Sequence, residues 1–237
     1  MTNKTLSKLL PFFDPNELPQ YPFIFVCSSR RSGKSTLVND LLLNYFHQEY
    51  DFIIGLMGNG HTARQYIERG AIPAKYCHSE YSPEILKAWF EKSDKLLKQG
   101  KTLPKTLFVC DDILVLQAEK NKKTTRRDPY LSKLSTIGRH YNAGTILIVQ
   151  SWNIGLQFVR NSDCVIVSPS SLYAGQDFKQ LAEVYMTGDN FRRNKEVLAM
   201  FERFDFLVLK YWKATRSQRE LLSWYRVNKQ TLQYAKH

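Results

Sequence analysis

A three-layer α/β/α sandwich around a mostly parallel sheet is the fold class predicted by three observations on the sequence. Short apolar runs alternate with segments of helical periodicity. The runs are apolar throughout, as in strands buried on both faces, and a glycine- and serine-bearing turn joins the first run directly to an amphipathic helix. The 237 residues, 43% hydrophobic and 24% charged, are enough for one such unit with a core of its own and exclude wholesale disorder or a fibrous repeat.

The elements follow in order. A proline-punctuated leader ends near Tyr21, and Phe23–Cys27, β-branched and aromatic, reads as a buried strand. From Gly33 to Phe46, the positions of Leu37, Val38, Leu41 and Leu42 predict a helix. A strand over Phe52–Met57 precedes helices over Thr62–Arg69 and from Pro83 to Gln99, with Pro83 in a first turn that tolerates it. Thr106–Cys110 is a second fully apolar strand and ends in Asp111-Asp112. A helix over Pro129–His140 leads to strands Thr145–Val149 and Cys164–Val167. Helical stretches are expected at 177–186 and 191–204, then a strand over Phe206–Leu209. No repeat or low-complexity linker divides the chain, so it is read as one domain: leader 1–21, core 22–168, and an extension over 169–237 that completes it.

Charge narrows the partner class. Thirty-four Lys and Arg against 22 Asp and Glu leave a formal +12, and an excess of this size favours a polyanion, whose counterions are released on contact. No apolar stretch approaches a membrane span, and the first residues lack the apolar region and cleavage site of a signal peptide. A protein without stable membrane insertion is expected. Cys27, Cys77, Cys110 and Cys164 are too dispersed for zinc or redox spacing and read as small buried hydrophobes.

Two segments carry chemistry. Ser28-Ser29-Arg30-Arg31-Ser32-Gly33-Lys34-Ser35, followed by Thr36, matches G-x-x-x-x-G-K-[ST] except that Ser28 stands for the first glycine. Its backbone amides are suited to cradling the phosphates of ATP at a helix N-terminus. Lys34 would reach the β- and γ-phosphates, and the Ser35 hydroxyl would hold Mg²⁺. The strand ending in Asp111-Asp112 supplies the second part: Asp111 as the acid that holds Mg²⁺ and Asp112 as the acid that polarises the attacking water. Gln150, directly after the strand over 145–149, is placed to contact the γ-phosphate or that water. The phosphate turn and Asp111 are expected on adjacent strands.

With Leu107–Asp112 and Gly138-Arg-His-Tyr-Asn-Ala-Gly-Thr-Ile-Leu-Ile-Val-Gln150 added to the Ser28–Thr36 turn, residues 23–168 resemble the genome-packaging ATPases of poxviruses and other large DNA viruses, in the FtsK–HerA branch of the P-loop NTPases. The resemblance implies ATP-driven translocation of double-stranded DNA into a capsid, a homo-oligomeric ring of five or six subunits, and a capsid or portal partner. It also implies residence in the virion or the host-cell cytoplasm. Carried over by position, Arg139 becomes the arginine finger that enters the neighbouring subunit's site, with Arg160 as second choice. The basic stretch Lys120, Lys122, Lys123, Arg126 and Arg127 becomes a loop that holds DNA phosphates without regard to sequence. Other readings of the same residues stay open: a conjugation-type pump or nucleotide kinase, and a basic DNA-binding structural protein whose nucleotide site has decayed at Ser28.

Overall fold

The computed structural model describes residues 9–113, 128–150, 158–168, 197–211 and 222–234. Eight strands form one sheet: β1 (Phe23–Cys27), β2 (Phe52–Met57), β3 (Cys77–His78), β4 (Thr106–Asp111), β5 (Ala143–Val149), β6 (Cys164–Val167), β7 (Asp205–Lys210) and β8 (Leu222–Arg226). Their order across it is β3-β2-β4-β5-β1-β6-β7-β8. The pairings from β3 through to β6 are all parallel, and β7 and β8 add on antiparallel.

Strand alternation builds the three layers. Phe23, Phe25 and Cys27 of β1 face one cluster with Leu86 and Phe90 of α3 (Pro83–Lys98) and Leu131 and Leu134 of α4 (Pro129–Ile137). Ile24 and Val26 face the other, with Leu37, Val38 and Leu41 of α1 (Lys34–Leu41) and Ala63 and Tyr66 of α2 (Gly60–Glu68). The period-2 side-chain geometry of strands enforces this division. Every residue of β1, β4 and β5 is buried, which is why those segments read as continuous apolar runs.

Two expectations change. Residues 199–204 make turns instead of extending a helix: the Asp205 carboxylate accepts the Glu202 N–H at 2.8 Å and the Asp205 N–H returns to the Glu202 carbonyl at 3.0 Å, closing a tight turn before β7. β1 and β4 are not neighbours, since β5 lies between them. The leader packs on the sheet: Phe13 N–H donates to the Trp224 carbonyl at 2.8 Å and Trp224 N–H to the Pro11 carbonyl at 3.0 Å, covering the edge strand β8. The expected helix at 177–186, the first six residues (191–196) of that at 191–204, and the basic stretch from Lys120 to Arg127 lie outside the described residues.

The tail is tied to the phosphate-loop helix. Asp40 in α1, fully buried, accepts the Tyr225 hydroxyl of β8 at 2.5 Å and the Thr231 hydroxyl of α5 (Lys229–Tyr234) at 2.6 Å, together with Asn44 Nδ2 at 2.8 Å and the Asn228 N–H at 3.2 Å. A buried carboxylate is tolerated when donors surround it, and here they come from both ends of the chain.

Candidate functional site

Parallel strands carry their loops of chemical interest at the carboxyl edge, and this edge collects the sequence-predicted residues. The loop Ser28–Ser35 leaves β1 there, with the Ser28 N–H pinned to the Val149 carbonyl at 3.2 Å. Two of its residues take left-handed backbone angles, Arg31 (φ 63°) and Gly33 (φ 94°), the latter capping α1. Ser28 is absent from the positive-φ residues, so the position that departs from the glycine pattern makes no demand that serine cannot meet. Gly33 is required twice over: besides its φ, a Cβ there would stand 2.8 Å from Cδ1 of Phe204.

Lys34 opens α1, 9% exposed, and its ammonium donates to the carbonyls of Ser28 at 2.7 Å and Ser29 at 3.1 Å, so the side chain folds back into its own loop. Burial lowers its pKa from the ordinary lysine value, with Arg30 adding to that shift and the nearby Asp111 and Asp112 opposing it. The Ser32 hydroxyl donates to the Ser29 carbonyl at 2.7 Å, and the Ser28 and Ser32 hydroxyls are hydrogen-bonded across the loop.

Asp111 ends β4, 2% exposed. Burial, reinforced by the charge of Asp112, pushes its pKa up to about 7 against the pull of Tyr66 and Lys34. Asp112 follows with a left-handed backbone (φ 59°) that breaks the strand and turns its side chain towards Gln150. Gly58, after β2, must be glycine for this packing: its Cβ would lie 2.6 Å from the Asp112 carbonyl oxygen.

The intervening strand β5 has a chemical consequence. It delivers Gln150 between the phosphate loop and the two acids, where Gln150 Nε2 donates to Asp112 Oδ1 at 2.7 Å and Gln150 Oε1 accepts from Arg30 Nε at 2.9 Å. A polar relay therefore runs from Arg30 in the loop through Gln150 to Asp112. The sequence gives no sign of the Arg30 link, nor of Tyr66, whose hydroxyl donates to Asp111 Oδ2 at 2.9 Å from a side chain with no exposure. One signal for Tyr66 was present: it shares a helix face with Ala63 in an otherwise polar segment, and a buried tyrosine needs a partner for its hydroxyl.

A divalent cation of the Mg²⁺ type fits the donor set. Ser35 and Asp111 offer hard oxygens, and a dication beside Asp111 would offset the burial that disfavours its charge. No cluster of three or more His, Cys, Asp or Glu side chains suited to a metal occurs among the described residues, consistent with an ion held mainly by phosphate and water.

Arg139 and Arg160 are not brought to this edge. Arg139 lies in the 3₁₀ turn Gly138–Tyr141 that enters β5, and Arg160 shortly precedes β6, so both sit at the amino ends of the strands. There they line one polar cavity of about 380 Å³ with Ser135, Thr136 and Asp163. The length of β5 separates that cavity from Gln150, about 20 Å at the usual strand rise.

These features define a P-loop NTPase fold. No family model matches the chain. Among curated proteins it is similar to the uncharacterized protein L437 of Acanthamoeba polyphaga mimivirus, 26% identical over 147 residues that cover 59% of this chain and 49% of that one. The chain thus spans about half the length of that relative. Among solved structures it superposes on the genome packaging NTPase B204 of Sulfolobus turreted icosahedral virus 2 in complex with AMP, with a TM-score of 0.51, 16% identity, and coverage of 84% of this chain and 96% of that one. The cytoplasmic domain of the type VII secretion ATPase EccC of Thermomonospora curvata gives a TM-score of 0.55 at 12% identity, covering 90% of this chain and 26% of that one.

Proposed function

We propose that this chain is an ATPase that drives double-stranded DNA into a viral capsid. The observation that carries the proposal is the convergence, at one edge of a parallel sheet, of Lys34, Asp111, Asp112 and Gln150 around the loop Ser28–Ser35, with Arg30 tied to Gln150. Lys34, whose ammonium is held by the Ser28 and Ser29 carbonyls of its own loop, exchanges them for the β- and γ-phosphate oxygens. Ser35 and Asp111 hold Mg²⁺, which when bound neutralises charge on the phosphate oxygens. Asp112 orients the lytic water, and Gln150 fixes Asp112 relative to the loop.

The formal +12 charge and the basic residues Lys120, Lys122, Lys123, Arg126 and Arg127 support DNA as the partner. Both ends of the connection that carries those residues lie at the nucleotide edge: it leaves after Asp111 and returns at Asp128, which caps α4 and accepts the hydroxyl of Tyr81, itself bonded to the end of β2 at Met57. Arg139, with Arg160 beside it, acts on the nucleotide of the next subunit in a ring of five or six. The proposal places the ring in the virion or the infected cell, against a capsid or portal protein. No helix among the described residues is long and apolar enough to cross a membrane.

The test is ATP hydrolysis by purified protein with and without double-stranded DNA, for wild type and Lys34→Ala. Hydrolysis stimulated by DNA and lost in the variant is expected. Phosphate transfer to a nucleotide, or DNA binding with no turnover, would overturn the proposal.

A further inference from the structure

Tyr66 lies in neither nucleotide motif, yet its hydroxyl reaches the centre of the site. It donates to Asp111 Oδ2 at 2.9 Å. The phenol thus reaches a residue assigned to magnesium from a helix 45 positions away in the chain.

The contact is rigidly supported. α2 is set at the end of β2 by Asn59, whose side chain accepts the Thr62 N–H at 2.9 Å, and the Gly58 N–H holds the Asp111 carbonyl at 2.8 Å. The Tyr66 carbonyl accepts the N–H groups of Ala71 at 3.0 Å and Ile72 at 3.3 Å, so backbone and side chain are both fixed. The ring is fully buried in the same core as Ala63, Ala71, Ile72 and Leu37. The phenol engages one carboxylate oxygen of Asp111 and so fixes the orientation in which that group would meet a cation.

We infer that Tyr66 is a positioning residue for magnesium, holding the Asp111 carboxylate in the orientation that the ion requires. Resting on the ATPase proposal above, it adds a residue that neither phosphate loop nor acidic strand contains. Partners that orient metal-binding side chains typically change metal affinity or activity by about 10–100-fold when removed. Mg²⁺ tolerates poorly placed ligands less than larger cations do, so the loss should be greatest for it.

The experiment measures binding of a fluorescent ATP analogue in EDTA and in saturating Mg²⁺, and takes the ratio of the two dissociation constants. In Tyr66→Phe the Mg²⁺-dependent gain should fall about tenfold, with affinity in EDTA nearly unchanged and Mn²⁺ restoring part of the loss. An unchanged gain in a folded Tyr66→Phe protein would overturn the inference while leaving the nucleotide site standing. Wild type that binds no nucleotide would remove both. If the variant fails to fold, wild type labelled with 3-fluorotyrosine decides: Mg²⁺ added to the nucleotide-bound protein should move a buried tyrosine resonance in its ¹⁹F spectrum, and a spectrum that does not change would overturn the role.

Discussion

Asp111→Asn should make the protein more stable at neutral and alkaline pH, although it removes a residue assigned to the active site. Asp111 is almost wholly buried, and burial raises its pKa from 3.8 to about 7. A raised carboxyl pKa means that the folded state binds the proton more tightly than the unfolded chain does. The contribution of this group to stability is therefore fully present below about pH 4 and lost as the pH rises to about 7. Three units correspond to about 4 kcal/mol, and local relaxation should reduce that to between about 2 and 4 kcal/mol. Asparagine imitates the protonated acid at every pH, so variant and wild type should unfold at similar urea concentrations near pH 4. The variant should then gain progressively through pH 7 and hold a constant advantage above it. Urea titrations at half-unit intervals from pH 4 to pH 9 check this. A difference independent of pH, or one that favours wild type at pH 8, would refute the link between burial and charge at Asp111.

Three further variants probe the chemistry. Arg139→Ala should lower turnover by about 10³-fold while nucleotide affinity stays near wild type, as expected of a group that meets charge only as it develops. Mixing it with Lys34→Ala should restore part of the activity, which steady-state hydrolysis of the mixed proteins reads directly. Asp112→Asn should cost at least about 10²-fold in the rate constant with little change in KM. Gln150→Ala, which cuts the relay to Arg30, should produce a smaller loss of the same kind, checked by single-turnover kinetics.

The sequence made the parallel core legible because burial on both faces leaves β1, β4 and β5 apolar apart from Thr106, Thr145 and the terminal Asp111, and the phosphate loop followed from its fixed spacing after β1. Strand order was less accessible. Nothing in Thr145–Val149 says that it inserts between β1 and β4, since all three are equally apolar and pairing is settled by packing of distant helices. β8 escaped notice because Trp224 and Tyr225 owe their burial to the leader and to Asp40, at sequence distances no local pattern carries. The same holds within the site. Lys34, Ser35 and Asp111 belong to motifs, whereas Tyr66 and the Arg30–Gln150 contact exist only once four segments meet. Helix continuation to Phe204 failed for a local reason, because Asp205 captures the Glu202 N–H and turns the chain.

The position of the two arginines bears on how a single chain could hydrolyse ATP at all. Near the phosphate loop the described cations are Lys34, Arg30 and Arg31, and Arg30 is already engaged by Gln150. Arg139 and Arg160 lie across the full length of β5, about 20 Å from the loop. An arginine side chain spans only about 7 Å, so neither can reach its own γ-phosphate without dismantling a strand whose residues are all buried. Their common polar cavity instead presents both guanidinium groups at a surface opposite the nucleotide edge, the arrangement needed if each subunit's nucleotide edge abuts its neighbour's arginine edge. An isolated chain would then bind nucleotide but hydrolyse it slowly, and hydrolysis per chain would rise with protein concentration. In the proposed ring, coupling to DNA would follow from the same geometry, because the edge that each neighbour would complete is the edge from which the connection after Asp111 departs.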